Sequence, residues 1–339
     1  MKIALKKVTI ALVSVIILAV AAKLFIFSDH LSKDTKSDEK YYDASKRFYK
    51  VFTVKIPEKV DFASEKVPLD KFYVREGLDR ELLVNSFWHS NSLLMFKRAY
   101  RYLPTIDSIL KANNVPTDFK YLAMIESALE NVTSPAGASG FWQFLSSTGK
   151  QYGLEITTEI DERNHMEKAT VAACKYLKAA YAHFKNWTLA AASYNMGVDG
   201  LDDVMTAQKC DNFYDLSLNK ETQRYIYRIL AIKLIYQMPV AYSFYLRDID
   251  FYPQIPTYSV SVDSTVADWP DFAIKNKSNY RILKELNPWI LKYTLTNKDR
   301  KKYVVKFPKP GFEKYTLLQS RFPESEHLFN DTLHIDLIR

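Results

Sequence analysis

Cysteine is scarce in this sequence, with only Cys174 and Cys210 among 339 residues. Two cysteines cannot build a disulfide framework, and no C-x-x-C or Cys/His spacing typical of a metal site occurs, so the sequence excludes a disulfide-rich fold and predicts no metal. A single disulfide between the two is an alternative for an exported chain. Because Cys174 lies in the helix-like run TVAACKYLKAAYAHF, we favour its packing as a small apolar residue.

Charge of either sign is absent from residues 8–22, and three lysines precede this apolar run. A basic stretch followed by an uncharged one predicts an export signal or a membrane anchor in residues 1–27. Residues 8–27 are long enough to cross a bilayer with Lys23 near the end, whereas the small residues AVA at 19–21 would suit cleavage. We prefer the anchor, and since no cysteine lies nearby we exclude a lipid-attached N-terminus.

Acidic residues are scarce in two segments of the chain, one near each end, and both segments are strongly basic. The formal net charge is +8, yet residues 1–27 hold four lysines and no acid, and residues 273–314 hold twelve Lys or Arg against three acids. The rest of the chain is slightly acidic, which argues against a nucleic-acid-binding body. The two basic segments suit polyanionic partners such as a membrane surface or the cell wall.

Composition also divides the chain into segments. Residues 28–50 are charged and lack a sustained apolar period, as in a tether. Helical periodicity dominates up to Met238, and Pro239, Pro253 and Pro256 mark a boundary. We predict an N-terminal signal or anchor at 1–27, a tether at 28–53, a helical domain at 54–245, a small module at 257–310 and a C-terminal extension at 311–339.

Local patterns predict the elements of the two domains. The helical run from Arg80 is expected to break at Pro104 and again at Asn113. In the small module, TYSVSV (257–262) and KYVVKF (302–307) read as strands, and residues 265–276 and 279–287 as short helices. The fold class is therefore mainly α, followed by a small α+β module of strand, helix, helix, strand order.

One carboxylate interrupts an apolar helical stripe. Phe119, Leu122 and Ala123 fall at helical spacing after a candidate cap at Thr117, and Glu126 continues their face. An unpaired buried carboxylate raises its pKa and stays protonated, which is what general-acid catalysis at an ether oxygen requires. The alternative is an ion pair between Glu126 and an arginine of another helix.

Glycine is also rare, but six of the eight glycines fall between 137 and 200. The loop SPAGASG follows the Glu126 helix, so Gly137 and the hydroxyls of Ser134 and Ser139 would present polar groups to a polyhydroxylated ligand. Trp142 and Gln143 follow with a flat apolar face and a bidentate amide, a combination suited to sugar rings. The alternatives are a tight turn without a ligand and a Trp142 that belongs to the core.

Two later patches carry polar side chains near helix ends. Tyr194 and Asn195 precede a glycine pair, and Tyr194 could donate to Glu126 or to substrate; the alternative is a buried tyrosine with a satisfied hydroxyl. Glu221 opens the helix ETQRYIYRILA, where it serves either to cap the helix or to bind a ligand.

Together these motifs resemble a known family. The ordered series Glu-Ser, Gly-Ala-x-Gly-x-Trp-Gln, Tyr-Asn-x-Gly and Glu-Thr-x-x-Tyr is similar to the soluble lytic transglycosylase domain, the bacterial peptidoglycan-cleaving relatives of goose-type lysozyme. The upstream VDFASEKVPL resembles the membrane-bound lytic murein transglycosylases of the D type. The sequence departs from the family at Met196, usually Ala, and at Phe141, usually Leu or Met.

The resemblance implies a lysozyme-like helical catalytic domain with Glu126 as the only catalytic acid/base and no cofactor. The implied substrate contacts are Ser134, Gly137, Gln143, Tyr194, Asn195 and Glu221. Residues 257–310, with LKELNPWI, look like a LysM-type glycan-binding module, although Val262-Asp263-Ser264 replaces the usual Gly-Asp.

The implied reaction cleaves the bond from N-acetylmuramic acid (MurNAc) to N-acetylglucosamine (GlcNAc) and leaves a 1,6-anhydro sugar. The partners would be peptidoglycan strands and an envelope membrane, in the periplasm. Two alternatives remain, a hydrolytic muramidase with Asp161, Glu162 or Glu221 as second acid, and a non-catalytic wall-binding protein.

Overall fold

The structure is a computed structural model that describes residues 53–320. The predicted N-terminal signal or anchor and nearly all of the predicted tether lie outside the described residues, as does most of the predicted extension after residue 310. Within the described part, no helix combines the length and apolarity that a membrane span requires.

Helices dominate the described residues, as predicted, so the mainly α fold class is confirmed. They are α1 (Phe72–Phe87), α2 (His89–Ala112), α3 (Lys120–Ser127), α4 (Ser146–Gln151), α5 (Met166–Phe184), α6 (Trp187–Met196), α7 (Val198–Gln208), α8 (Lys220–Gln237), α9 (Trp269–Lys275), α10 (Tyr280–Leu286) and α11 (Tyr315–Gln319). The strands are β1 (Asp61–Phe62), β2 (Glu65–Lys66), β3 (Thr257–Val262) and β4 (Tyr303–Pro308).

Helix α8 forms the centre of the large domain. Its residues from Tyr225 to Ile235 are apolar on nearly every face, and all but Arg228 are buried. A helix that is apolar all round must be enclosed, and α1, α3 and α6 pack around it. Helices α1, α3 and α6 are thus assembled on one buried axis.

The predicted break at Pro104 is wrong, because α2 continues through it from His89 to Ala112. Proline removes one hydrogen bond to the carbonyl a turn earlier, but Pro104 lies on the exposed side of α2, where water can solvate that carbonyl. The buried stripe that includes Leu103 and Ile106 holds the helix together. The predicted end at Asn113 is confirmed.

A two-stranded hairpin, β1–β2, ties three helices together and was not predicted from the sequence. The carboxylate of Glu65 accepts hydrogen bonds from the backbone N–H groups of Trp187 and Thr188 and so caps α6. The buried ammonium of Lys233 on α8 donates to Asp61 in the hairpin and to Asp118 before α3. The VDFASEK motif therefore has a structural role, since it connects α6, α8 and the turn before α3.

The small module has its own core and the predicted order β3–α9–α10–β4. Strands β3 and β4 pair antiparallel, with Thr257 opposite Pro308 and Val262 opposite Tyr303. The buried side chain of Asn287 donates to the carbonyl of Lys306 and accepts from its N–H, which joins the end of α10 to β4. The strand and helix assignments are confirmed, with both helices shorter than predicted.

The cysteines do not form a disulfide. Cys174 is buried on α5 within the large core, and burial raises the pKa of its thiol to about 11. Its expected packing as a small apolar residue is therefore confirmed.

Candidate active site

Glu126 lies in the last turn of α3. A 3₁₀ turn over Thr117–Phe119 leads into this helix without a side-chain cap, so the expected capping by Thr117 is wrong. Phe119, Leu122 and Ala123 are fully buried, as their spacing predicted. Glu126 itself is half-buried, which leaves the carboxyl group within reach of the surface.

The surroundings of Glu126 favour the protonated carboxyl group. Burial raises its pKa most strongly, and the nearby carboxylate of Glu221 adds to the rise, while the hydroxyl of Tyr225 and the charge of Arg228 oppose it. In the described chain no cation forms an ion pair with Glu126, and the guanidinium of Arg228 donates instead to the carbonyl of Ile125. The ion-pair alternative is thus wrong, and burial of the carboxyl group favours its protonated form.

The hydrogen-bond partner of Glu126 is Tyr225, a residue to which the sequence analysis gave no role. Its hydroxyl donates to Oε1 of Glu126, leaving Oε2 free of this contact. The available signal was the position of Tyr225 one turn after Glu221, on the same face of α8. Tyr194 does not donate to Glu126: its hydroxyl donates to the carbonyl of Trp142 over 2.7 Å, the satisfied-tyrosine alternative.

The loop after α3 is held in a compact conformation by hydrogen bonds between residues close together in the sequence. Gly137 and Gly140 adopt positive φ angles of 81° and 79°. The N–H of Gly137 donates to the carbonyl of Ser134, and the hydroxyl of Ser134 accepts from the N–H of Ala138. Ser134 and Gly137 remain near the surface, whereas Ser139 is buried and contacts Asn164, so Ser139 cannot present its hydroxyl to a ligand.

Trp142 is a core residue. It is fully buried and donates from Nε1 to the hydroxyl of Thr170 over 2.9 Å, so stacking of Trp142 on a sugar is wrong. Gln143 has a positive φ of 47°, and its amide nitrogen donates to the carbonyls of Gly140 and Val132. Because its N–H groups stabilise the loop, only the amide oxygen of Gln143 is left for a ligand.

The end of α6 meets the start of α8 through Asn195 and Thr222, the residue that follows Glu221. Asn195 accepts a hydrogen bond from the hydroxyl of Thr222 over 2.8 Å. Asn219 caps α8 by accepting from the N–H groups of Glu221 and Thr222, which leaves the exposed carboxylate of Glu221 unused by the cap. Glu221 nevertheless lies in the first turn of α8, as predicted, and close enough to raise the pKa of Glu126.

Two groups of predicted site residues are thus linked to α3. Glu126 interacts electrostatically with Glu221 and with the partly buried Tyr194. The loop that carries Ser134, Gly137 and Gln143 is bound to α3 through the hydroxyl of Ser127, which donates to the carbonyl of Phe141 over 3.0 Å. Within residues 53–320 no cluster of three acidic, histidine or cysteine residues is arranged to hold a metal ion.

The other acids considered for catalysis are held in ion pairs. Asp161 is buried and accepts three hydrogen bonds from the guanidinium of Arg163, at 2.6, 2.9 and 3.2 Å. Glu162 is also buried, accepts from the N–H of Glu155 and pairs with Lys168. Since both carboxylates are neutralised by cations, neither is available to activate water.

Comparison with known families agrees with this architecture. Residues 105–215 match the transglycosylase SLT domain, and residues 258–311 match the soluble lytic transglycosylase C-terminal LysM-like domain. The chain therefore carries an SLT domain followed by a LysM-like domain, as the motifs predicted.

Among individual proteins, the chain is similar to membrane-bound lytic murein transglycosylase D of Escherichia coli K12, with 31% identity over 183 residues. That match covers 52% of this chain and 40% of the relative, and the protein of the same name from E. coli O6:H1 matches equally. A putative tributyltin chloride resistance protein of Alteromonas is 28% identical over 102 residues, which is 30% of this chain and 49% of that protein. The chain thus spans less than half the length of each of these relatives.

Proposed function

We propose that this protein is a peptidoglycan lytic transglycosylase that cleaves the MurNAc-β-1,4-GlcNAc bond with Glu126 as its single general acid/base. The observation that carries the proposal is the desolvated carboxyl group of Glu126, whose pKa is raised and which receives a hydrogen bond from Tyr225. The SLT domain and the similarity to a lytic murein transglycosylase support it.

In the first step, protonated Glu126 donates its proton to the glycosidic oxygen, which leaves as the 4-hydroxyl of GlcNAc. The oxygen of the 2-acetamido group of MurNAc forms a bond to its own anomeric carbon as the C1–O bond breaks. Ordinary glycosidases use a second carboxylate on this side of the sugar; here the substrate supplies the group.

In the second step, the Glu126 carboxylate takes the proton of the MurNAc C6 hydroxyl. The C6 oxygen then bonds to C1, and the bond between C1 and the acetamido oxygen breaks. The product is a 1,6-anhydro sugar, Glu126 is protonated again, and no water is consumed. Tyr225 stabilises the carboxylate between the two steps because it donates to Oε1.

The loop residues Ser134, Gly137 and Gln143, together with Tyr194, Asn195 and Glu221, are proposed to contact the glycan. Ser134, Gly137 and Glu221 reach the surface and would bind directly. Tyr194 acts through the loop, since its hydroxyl holds the carbonyl of Trp142. No cofactor is needed for this chemistry.

The hydrolytic alternative predicts a different product. Of its three candidate acids, Asp161 and Glu162 are neutralised by cations, which leaves Glu221 alone. We therefore expect purified peptidoglycan digested by the protein to release muropeptides that end in the anhydro sugar, lighter than hydrolysis products by one water. Mass spectrometry distinguishes the two, and products with a reducing MurNAc end would contradict the single-acid mechanism.

The pH dependence of the reaction provides a second prediction. Glu126 must be protonated to act, so kcat/KM falls as pH rises through its pKa. The carboxylate of Glu221 raises that pKa and Arg228 lowers it. In the profile of kcat/KM against pH, Glu221→Gln should therefore move the alkaline limb to lower pH, and Arg228→Gln should move it to higher pH. The readout is the position of the limb for each variant.

An isosteric change at Asp199, an exposed acid in the first turn of α7, is the matched control for this experiment. Asp199→Asn removes one negative charge from the surface, and Asp199 is not among the groups that shift the pKa of Glu126. Its limb should coincide with that of the wild type. Equal shifts in Glu221→Gln and Asp199→Asn would mean that general charge, rather than Glu221, sets the limb.

The proposed location is the cell envelope, with the N-terminal segment as the attachment to a membrane. The support is the uncharged run 8–22 after three lysines, together with the name of the Escherichia relatives, membrane-bound lytic murein transglycosylase D. Peptidoglycan strands are then the partner on which both domains act.

A further inference from the structure

A short hairpin from the SLT domain inserts into the core of the LysM-like module. Residues 155–162, here called the docking hairpin, fold back so that Ile156 pairs with Asp161, and the N–H of Thr157 donates to the carbonyl of Ile160 over 2.7 Å. The side chain of Ile160 is 1% exposed and belongs to the buried apolar cluster of the module, with Trp289. The core of the module is therefore completed by a residue of the other domain.

Backbone bonds fix the docking hairpin to the module. Ile160 pairs antiparallel with Ile290, the N–H of Asp161 donates to the carbonyl of Trp289 over 2.9 Å, and the N–H of Leu291 donates to the carbonyl of Glu159 over 2.8 Å. These bonds fix the register between the docking hairpin and residues 289–291, since a slip of one residue would turn the side chain of Ile160 out of the core.

Polar side chains surround this contact. The carboxylate of Glu159 accepts from the N–H of Thr296 over 3.0 Å. The carboxylate of Glu155 accepts from the hydroxyl of Tyr303 over 3.1 Å and pairs with Lys301. An apolar centre with a polar rim is the arrangement of a specific interface.

The other end of the docking hairpin leads to the loop after α3, residues 128–145, here called the catalytic loop for its proposed role. Asp161 holds the guanidinium of Arg163, which donates to the carbonyl of Gly137 over 2.7 Å and to that of Phe144 over 3.0 Å. The carbonyl of Arg163 lies so close to Gly140 that a side-chain carbon there would approach it to 1.9 Å. Arg163 thus contacts the loop at three points.

From this continuity we propose that the LysM-like module positions the catalytic loop: Ile160, seated in the module core, fixes Asp161 and Arg163, and Arg163 fixes the loop at Gly137 and Phe144. Ile160 and Arg163 are positioning residues, since neither touches the substrate. The module then contributes to the turnover rate even for a glycan too short to reach it, which a separate binding module would not do.

The test compares Ile160→Ala with Ile274→Ala in the full chain. Ile274 belongs to the same module but is 67% exposed, so its removal leaves the docking contact intact. With a short soluble glycan, Ile160→Ala should lower kcat by roughly 10- to 100-fold, the effect of a displacement of about 1 Å at a reacting centre. KM and binding to insoluble peptidoglycan should stay within about twofold of the wild type, and Ile160→Val should restore most of the rate.

A rate that falls only on long glycans, or an equal kcat for Ile160→Ala and Ile274→Ala, overturns the proposal. If Ile160→Ala fails to fold, the double variant Glu155→Gln with Glu159→Gln weakens the polar rim without touching either core, and a smaller fall in kcat at constant KM is expected. An unchanged kcat in that folded variant also counts against the proposal.

Because this inference rests on the proposed function, a readout independent of activity separates the two. Hydrogen exchange of the backbone amides in the loop, including those of Gly137 and Gln143, should be faster in Ile160→Ala than in Ile274→Ala. Exchange within α8 should be the same in both. Unchanged loop exchange refutes the positioning role even in an active enzyme, while faster loop exchange in a protein that releases no muropeptide refutes only the proposed function.

Discussion

Replacing Glu126 by glutamine is expected to lower muropeptide release by roughly 10³-fold or more, because in the proposed mechanism the same group donates a proton in one step and accepts one in the next. Glutamine keeps the size of the side chain and an acceptor for the hydroxyl of Tyr225. Binding to peptidoglycan should therefore persist. The measurement is the rate of release of soluble muropeptides beside a sedimentation assay of wall binding.

Glu130→Gln is the matched control for that variant. Glu130 lies one turn further along the chain, is more exposed, and pairs with Arg98 rather than with a tyrosine. Its activity should stay within a few-fold of the wild type, since a surface ion pair contributes ~1 kcal/mol or less. Equal release by wild type and Glu126→Gln would contradict the proposed role of Glu126, and release by neither would leave the non-catalytic wall-binding protein as the better explanation.

Gly140→Ala should be the most destabilising substitution in the catalytic loop. Gly140 has a φ of 79°, and an added Cβ would lie 1.9 Å from the carbonyl oxygen of Arg163. The backbone strain of ~1–2 kcal/mol adds to overpacking of ~1–3 kcal/mol, so the free energy of unfolding should fall by about 2–5 kcal/mol. Urea unfolding followed by circular dichroism measures the change.

Gly137→Ala separates the two contributions. Gly137 has nearly the same φ, 81°, but nothing lies within 4 Å of the position that a Cβ would occupy. The free energy of unfolding of Gly137→Ala should then fall only by the backbone strain of ~1–2 kcal/mol. If both variants unfold at the same urea concentration, the close approach of Arg163 to Gly140 is not a feature of the folded protein in solution.

Local elements of this protein were predictable because they depend on neighbouring residues. The strand, helix, helix, strand order of the module follows from apolar periodicity and from turn residues such as Asn279, whose side chain caps α10. The α2 error shows the limit of such reasoning. Pro104 has a strong local preference against a helix interior, but burial of Leu103 and Ile106 on the opposite face outweighs it.

At the candidate site, the sequence singled out Glu126 because a carboxylate on an apolar face is costly wherever the chain folds. It did not identify the partner of that carboxylate. Tyr225 is 99 positions away, and the sequence pointed to Tyr194, which has the same chemistry; only the packing of α8 against α3 placed Tyr225 beside Glu126. Likewise, Trp142 lies in the large core, where Thr170 of α5 accepts a hydrogen bond from its ring nitrogen, and these contacts come from residues distant in the chain.

By itself, then, the amino-acid sequence determined the helical class, the module that follows and the acid proposed for the chemistry, since spacing and burial cost are properties of the chain. Only the tertiary structure decided which tyrosine meets Glu126, which acids are neutralised and how Ile160 joins the two domains. Those outcomes depend on contacts between residues far apart in the chain. Local preferences do not determine which of several chemically equivalent side chains makes a given contact.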